Sequence, residues 1–196
     1  FPSSLWKKLD EILDNPPPLA ERVAAFDADG TLWDFDLGES FFEYQIKNSG
    51  LKLPDNPMQH YFDLKIPDPR VAYVWLAQIN AGLSLSKVRE WSAENVRSVP
   101  SSLVFGDMQT LVSRLQALNF RIFVVTASIK WAVEPGALRF FKIPSENVLG
   151  VETVVNDGVV TEIPVQPITW REGKAEALLK VTGGIRPFIS AGNTSG

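Results

Sequence analysis

A short apolar run, Arg22-Val-Ala-Ala-Phe26, ends in the polar turn Asp27-Ala-Asp-Gly-Thr31. Asp27 and Asp29 are two positions apart, and in extended backbone residues i and i+2 point the same way. Two carboxylates facing one cleft suit magnesium, a hard cation that takes oxygen ligands. They also suit a division of labour, one carboxylate attacking phosphorus while the other serves as general acid and then base. Gly30 gives the turn freedom, and free backbone N–H groups there can cradle phosphate oxygens. A second apolar run, Arg121-Ile-Phe-Val-Val125, ends in Thr126-Ala-Ser128. The Thr126 hydroxyl can donate to a phosphoryl group, and Lys174 can neutralise charge on phosphate and nucleophile together.

These residues meet only if the chain folds their segments side by side. Strand-like and helix-like stretches alternate, which predicts a mostly parallel sheet covered by helices on both faces. Sites in such sheets lie at the carboxyl ends of the strands. The first strand ends at Asp27, the second at Thr126 and the last, Phe188-Ile-Ser190, near Asn193. Lys174 begins a helix over 171–181. Helices are also expected over 4–14, with Leu5, Leu9, Ile12 and Leu13 at helical spacing, and over Asp107–Leu118, with another interrupted near Pro135. Val148–Val155 and Val159–Ile163 flank Asn156-Asp-Gly158, a strong hairpin signal.

Residues 38–100 break the alternation. Glu39–Asn48 is an expected helix stopped by Gly50, followed by a loop spotted with Pro54, Pro57, Pro67 and Pro69. Asp68-Pro69 is a helix start and Gly82 a stop, with Val71, Val74, Trp75 and Ile79 on one face. A further helix is expected over 85–97. The segment therefore reads as a small helical insertion, a cap at 38–100 on a core of 1–37 and 101–196.

Composition narrows the chemistry. Of 196 residues none is cysteine and one, His60, is histidine, so thiolate nucleophiles, disulfides and histidine-rich metal sites are excluded. The net charge of −4 and the lack of any Lys/Arg run argue against nucleic acid or an anionic membrane as partner. No stretch approaches the ~20 apolar residues of a membrane span. A soluble protein is expected, cytoplasmic or periplasmic, with the oligomeric state left open. No signal peptide is visible, yet the chain begins at Phe1, which implies that something has been removed.

Phe26-Asp-Ala-Asp-Gly-Thr-Leu32 resembles the first motif of the haloacid dehalogenase superfamily. Val124-Val-Thr-Ala-Ser128 resembles its second, Gly173-Lys174 its third and Ile189-Ser-Ala-Gly-Asn193 the start of its fourth. The resemblance implies a Rossmann-like core and a magnesium-dependent enzyme working through an aspartyl-phosphate on a small phosphomonoester. By position Asp27 is the nucleophile and a metal ligand. Asp29 is the general acid/base, its carbonyl on the metal. Gly30, Thr126, Ala127 and Lys174 hold the phosphate. An acid at Asp29's position marks phosphatases within the superfamily, and the insertion matches the cap of the phosphoserine-phosphatase-like branch. Trp33-Asp-Phe-Asp-Leu-Gly-Glu39 is similar to the corresponding stretch of phosphorylcholine phosphatases. Phosphoserine, phosphocholine and phosphoethanolamine are the implied candidates, with Glu39 and Trp33 setting specificity. The fourth motif departs from the pattern: Asn193 stands where an acid is usual, and a further acid is expected beyond Gly196.

Several residues carry plainer readings. Gly106-Asp107 imitates the fourth motif but suits a helix N-cap. His60 reads as surface or packing. Trp33, Trp75 and Trp91 can cage a quaternary ammonium or fill the core of the insertion. Glu39 can bind a substrate amine or favour its helix N-terminus. A phosphotransferase and a phosphate-binding module without turnover are the rival functions.

Overall fold

A computed structural model describes residues 1–193. Its centre is a four-stranded, all-parallel sheet in the order β3-β2-β1-β6, formed by β1 (Val23–Phe26), β2 (Arg121–Ile129), β3 (Val148–Val151) and β6 (Ile189–Ala191). Strand periodicity divides it into two faces. On one face Ala24, Phe26, Ile122 and Val124 pack against Leu9 and Leu13 of α1 (Ser3–Leu13) and Met108, Leu111 and Leu115 of α6 (Gly106–Ala117). The same cluster takes in Val133, Ala137 and Phe141 of α7 (Lys130–Phe141). On the other face Val23, Ala25, Phe123 and Val125 meet Leu178 of α8 (Glu172–Thr182). The expected α/β architecture with a parallel sheet flanked by helices is present.

Four helices lie between β1 and α6: α2 (Leu37–Asn48), α3 (Pro57–Lys65), α4 (Pro69–Gln78) and α5 (Leu85–Arg97). The chain leaves and re-enters at one place, since Trp33 pairs with Val104 in an isolated antiparallel bridge. The apolar cluster of these helices is not self-contained. Phe41, Phe42, Tyr61, Leu76 and Trp91 share it with Ile129, Trp131, Val151 and Val160. A bidentate ion pair from Arg89 to the buried Glu134, at 2.7 and 2.8 Å, also ties α5 to α7.

Several expectations change. The proline-spotted loop contains α3, because Pro57 occupies a first-turn position, where its missing N–H costs nothing. On α4 the buried residues are Ala72, Leu76 and Ala77, while Val71 is 48% exposed. On α1 Leu5 and Ile12 stay exposed. Asp107 is not an N-cap: Phe105 holds that position. Val148–Val155 is two strands, since beyond Glu152 the chain leaves the parallel sheet and β4 (Thr153–Asn156) pairs antiparallel with β5 (Val159–Pro164). Their turn carries positive φ at Asp157 and Gly158, as the hairpin signal requires.

Helix α7 runs unbroken through Pro135. Proline cannot donate to the carbonyl four residues back, that of Trp131. The Ser92 hydroxyl of α5 donates to this carbonyl at 2.6 Å, so the group proline orphans is paired from the neighbouring helix.

Candidate active site

The carboxyl ends of β1, β2 and β6 and the start of α8 converge on Asp27. Its backbone N–H donates to the carbonyl of Ala191 on β6 at 2.9 Å, which fixes the residue at the sheet's edge. Its Oδ1 accepts from Lys174 Nζ at 2.9 Å and from the N–H of Ala28 at 3.0 Å. Oδ2 takes no bond among the described residues, and the side chains of the pair are 17% and 20% exposed. Lys174 reaches Asp27 because α8 starts tight against the preceding loop. A Cβ at Gly173 would stand 1.9 Å from the Ile168 carbonyl oxygen, so only glycine allows this approach. A cleft of about 1070 Å³ opens beside the pair, lined by Asp27, Lys174, Arg171, Ser190 and Gly192 among others.

Asp29 is held by three donors. Its Oδ1 accepts from the Trp33 indole at 2.7 Å and from the N–H of Leu37 at 2.9 Å, and its Oδ2 accepts from the Ser128 hydroxyl at 2.6 Å. Burial raises its carboxyl above the ordinary range, and the negative charge of Asp27 adds to that. Bonds from Ser128, Leu37 and Trp33 oppose the rise without cancelling it. A carboxyl that keeps its proton more readily than usual suits an acid that must deliver one.

Thr126 is buried at the point where pairing between β2 and β3 is interrupted, between Val125 and Ile129. Its Oγ1 accepts from the Ser128 N–H at 3.0 Å, leaving its own proton without an acceptor among the described residues. The half-buried Ala127 lies in the same interrupted stretch; the strand, expected to end at Thr126, continues to Ile129. Gly30 differs from expectation. Its N–H donates to the Trp33 carbonyl at 2.8 Å and is spent. Gly30 is needed for its φ of +71° and its bareness: a Cβ there would stand 2.2 Å from Asn193 Nδ2. Among the turn's amides, that of Asp29 has no acceptor among the described residues.

Trp33 supports the site rather than facing a ligand. Its ring is fully buried among Phe35, Phe140 and Phe141, with its one polar atom given to Asp29. Trp75 packs on Phe42 and His60, and Trp91 belongs to the same helical cluster, so the three tryptophans form no common cage. His60 packs, as expected. Glu39 pairs with Lys65 of α3 at 2.7 Å.

Residues 24–186 match a family described as haloacid dehalogenase-like hydrolase. The chain belongs to that family. This hydrolase is 23% identical over 236 aligned positions to the phosphorylcholine phosphatase of Pseudomonas aeruginosa, a match covering 87% of this chain and 68% of the relative. A protein with unknown function from Bordetella pertussis Tohama I shares its fold at a TM-score of 0.70 and 20% identity, over 85% of this chain and 76% of the other. A phospho-aspartyl intermediate analogue of phosphoserine phosphatase aligns at a TM-score of 0.51 and 14% identity, over 84% and 73% of the two chains. At these identities the likeness to solved structures is one of fold. With the family match it supports a phosphatase of the phosphoserine-phosphatase-like branch.

No group of three His, Cys, Asp or Glu able to hold a metal ion occurs among the hydrolase's described residues. The donors available for a hard cation are Asp27 Oδ2 and the Asp29 carbonyl, neither of which accepts a bond among those residues, with the exposed Asn193 nearby on Gly30. They fit magnesium in kind, being oxygens, and leave positions to water, as magnesium prefers. The acid expected beyond Gly196 lies outside the described residues. Among the described residues no helix is long and apolar enough to cross a membrane.

Sequence reading missed three features. Ser128 had a signal, standing two positions past Thr126 on a strand. Asp36 had a weaker one, as a capping acid three residues before Glu39; its Oδ1 accepts the Glu39 N–H at 2.8 Å. Lys65 had none, since only the packing of α3 on α2 brings it to Glu39.

Proposed function

We propose that this hydrolase cleaves small phosphomonoesters through an aspartyl-phosphate formed on Asp27. The observation that carries the reading is the Asp27–Lys174 contact at the carboxyl end of β1, with Asp29, held by three donors, two residues on. An Asp27 carboxylate oxygen attacks phosphorus, the ester P–O bond breaks, and Asp29 gives its proton to the leaving alkoxide. Water then attacks the aspartyl-phosphate and passes a proton to Asp29. The P–O bond to Asp27 breaks, releasing orthophosphate and restoring both carboxyls. Lys174 offsets negative charge gathered beside the nucleophile, and Thr126 and the Asp29 amide are unspent donors for phosphoryl oxygens, with Ala127 beside them. Magnesium, held by Asp27, the Asp29 carbonyl and Asn193, would supply positive charge to draw the phosphate dianion to an anionic nucleophile.

The helices of residues 38–100 serve in this reading as a cap that excludes water and selects the alcohol. Glu39, at the cap's root, is the residue for a cationic head such as choline, ethanolamine or the serine amine. The test is turnover of p-nitrophenyl phosphate and phosphocholine with magnesium present. Orthophosphate released at the same rate as alcohol supports hydrolysis. Phosphate passed to an added alcohol acceptor in preference to water supports the phosphotransferase, and no release from any small ester supports a binding module.

A further inference from the structure

Lys65 closes α3 with its ammonium in an unusual seat. Nζ lies 2.7 Å from Glu39 Oε1 and 4.3 Å from the ring centroid of Tyr61. The rings of Phe62 and Tyr73 are each 5.5 Å away. Lys47 with Glu43 and Lys87 with Glu90 pair along a single helix at the surface, while Lys130 with Glu152 and Lys174 with Asp27 pair between elements. Lys65 also pairs between elements, crossing from α3 to α2. A carboxylate with three aromatic faces is the donor set that recognises an ammonium ligand.

The seat adjoins the catalytic turn. Glu39 lies in the first turn of α2, Asp36 caps that helix, and the N–H of Leu37 between them donates to Asp29. Tyr61 is almost fully buried. Burial, and after it the charges of Glu39 and Asp36, hold its hydroxyl above the ordinary tyrosine range. Tyr73 is shifted the same way by burial and by the same two acids. The seat thus lies among two acids and three aromatic rings, one of those acids, Asp36, being the chain neighbour of Leu37, a donor to Asp29, and it now contains one of the chain's own cations.

We propose that Glu39, Tyr61, Phe62 and Tyr73 form a cation site for the substrate's head group, and that Lys65 is its tethered competitor. The proposal rests on the phosphomonoesterase reading and deepens it. A group tethered this closely competes at an effective concentration in the millimolar range or above, so a cationic ligand binds only by displacing it. Displacement is feasible because Lys65 and Glu39 remain 27% and 28% exposed, and an ion pair still touched by water is weak. The ammonium can swing into solvent on its flexible stem. Lys65 therefore weakens every cationic ligand of the seat by a common factor, so only ligands with a tight intrinsic fit to the aromatic rings still bind at low concentration.

Calorimetric titration of the whole chain with choline tests this without turnover, comparing the native chain with Lys65→Gln, Lys65→Met and Lys65→Arg. Removing the charge by either neutral substitution is expected to tighten choline binding about three- to tenfold, while arginine keeps it weak. Glu39→Gln added to Lys65→Gln should cancel the gain. The KM for phosphocholine should fall by the same factor as the choline Kd. Choline binding that is unchanged, weakened or absent in both neutral variants, with their thermal melts intact, would overturn the proposal. So would a rise in KM for phosphoserine alone, since Lys65 would then be holding a substrate carboxylate. A native chain that binds choline but releases no phosphate from p-nitrophenyl phosphate would strike the phosphatase reading and leave the cation site standing.

Discussion

The end of the parallel sheet and the recess between α2, α3 and α4 are both built from charged side chains beside buried walls, yet they are assembled differently. At the sheet, topology does the gathering. Parallel strands end on the same edge, so Asp27, Thr126 and the loop leading to Asn193 come together whatever the loops between them do. In the recess no such rule operates. Glu39, Tyr61, Lys65 and Tyr73 come from three helices, and their meeting depends on how those helices cross over a cluster shared with Trp131 and Val151. In the proposed reading, the sheet end carries the chemistry and the helical seat selects what the chemistry acts on.

That contrast can be broken by substitution. The largest effect is expected at the sheet edge. Asp27→Asn should reduce phosphatase turnover below detection while the far-UV circular dichroism stays native, because an amide of the same shape keeps an oxygen for Lys174 but cannot attack phosphorus. Near-native turnover would remove Asp27 from the chemistry. Asp29→Asn should lose about 10²–10⁴-fold in kcat, the usual contribution of a general acid. Ser128→Ala should lose about tenfold, since one of three donors to Asp29 disappears while Trp33 and Leu37 still hold it. A loss as large as that of Asp29→Asn would give Ser128 a direct part in the reaction.

In the recess the expected effects are smaller and fall on KM. Glu39→Gln should raise KM for phosphocholine by several-fold and barely change it for p-nitrophenyl phosphate, which carries no cation. Equal rises for both would mean that Glu39 acts only through α2 and its N-terminus.

The same contrast governs what the sequence could reveal. Asp27, Asp29, Thr126 and Lys174 were legible because strand ends, a two-residue spacing and a glycine before the lysine are local patterns. Gly30 was legible as a turn but misread as a phosphate donor, because its N–H is taken by the Trp33 carbonyl only three residues on, where the chain folds back on itself in a way residue types alone do not mark. Trp33 was misread for a related reason: an aromatic near an acid suggests a cage until packing shows the ring enclosed by Phe35, Phe140 and Phe141. Helix α3 was hidden by its own prolines, and Lys65 with it. Pro135 suggested an interruption, and what prevents one is a hydroxyl from Ser92, 43 positions away in the chain.

Asp36 sits where the two regions join, and it gives the finest test of how strongly they are coupled. It caps α2 and faces Asp29 on one side and Glu39 and Lys65 on the other. Partial enclosure, then the charge of Asp29, pushes its carboxyl from 3.8 to about 7, with Glu39 adding to the rise while the Glu39 N–H and Lys65 oppose it. A carboxyl raised in this way binds a proton in the folded chain that the unfolded chain has already released. Stability should therefore fall as pH rises from about 4 to 7, and the cost is fully present above 7. Asp36→Asn keeps an N-cap acceptor and removes the charge. The variant should match the native chain at pH 4, where both side chains are neutral in the fold, and melt higher at pH 8. Solvent still reaches Asp36, so screening holds the gain to about 2–4 °C, the shift that about 1 kcal/mol makes in a domain of this size. Thermal melts of both chains from pH 4 to 8 decide the matter. Parallel curves would mean that Asp36 feels neither Asp29 nor Glu39, and that the sheet edge and the helical recess are electrostatically separate.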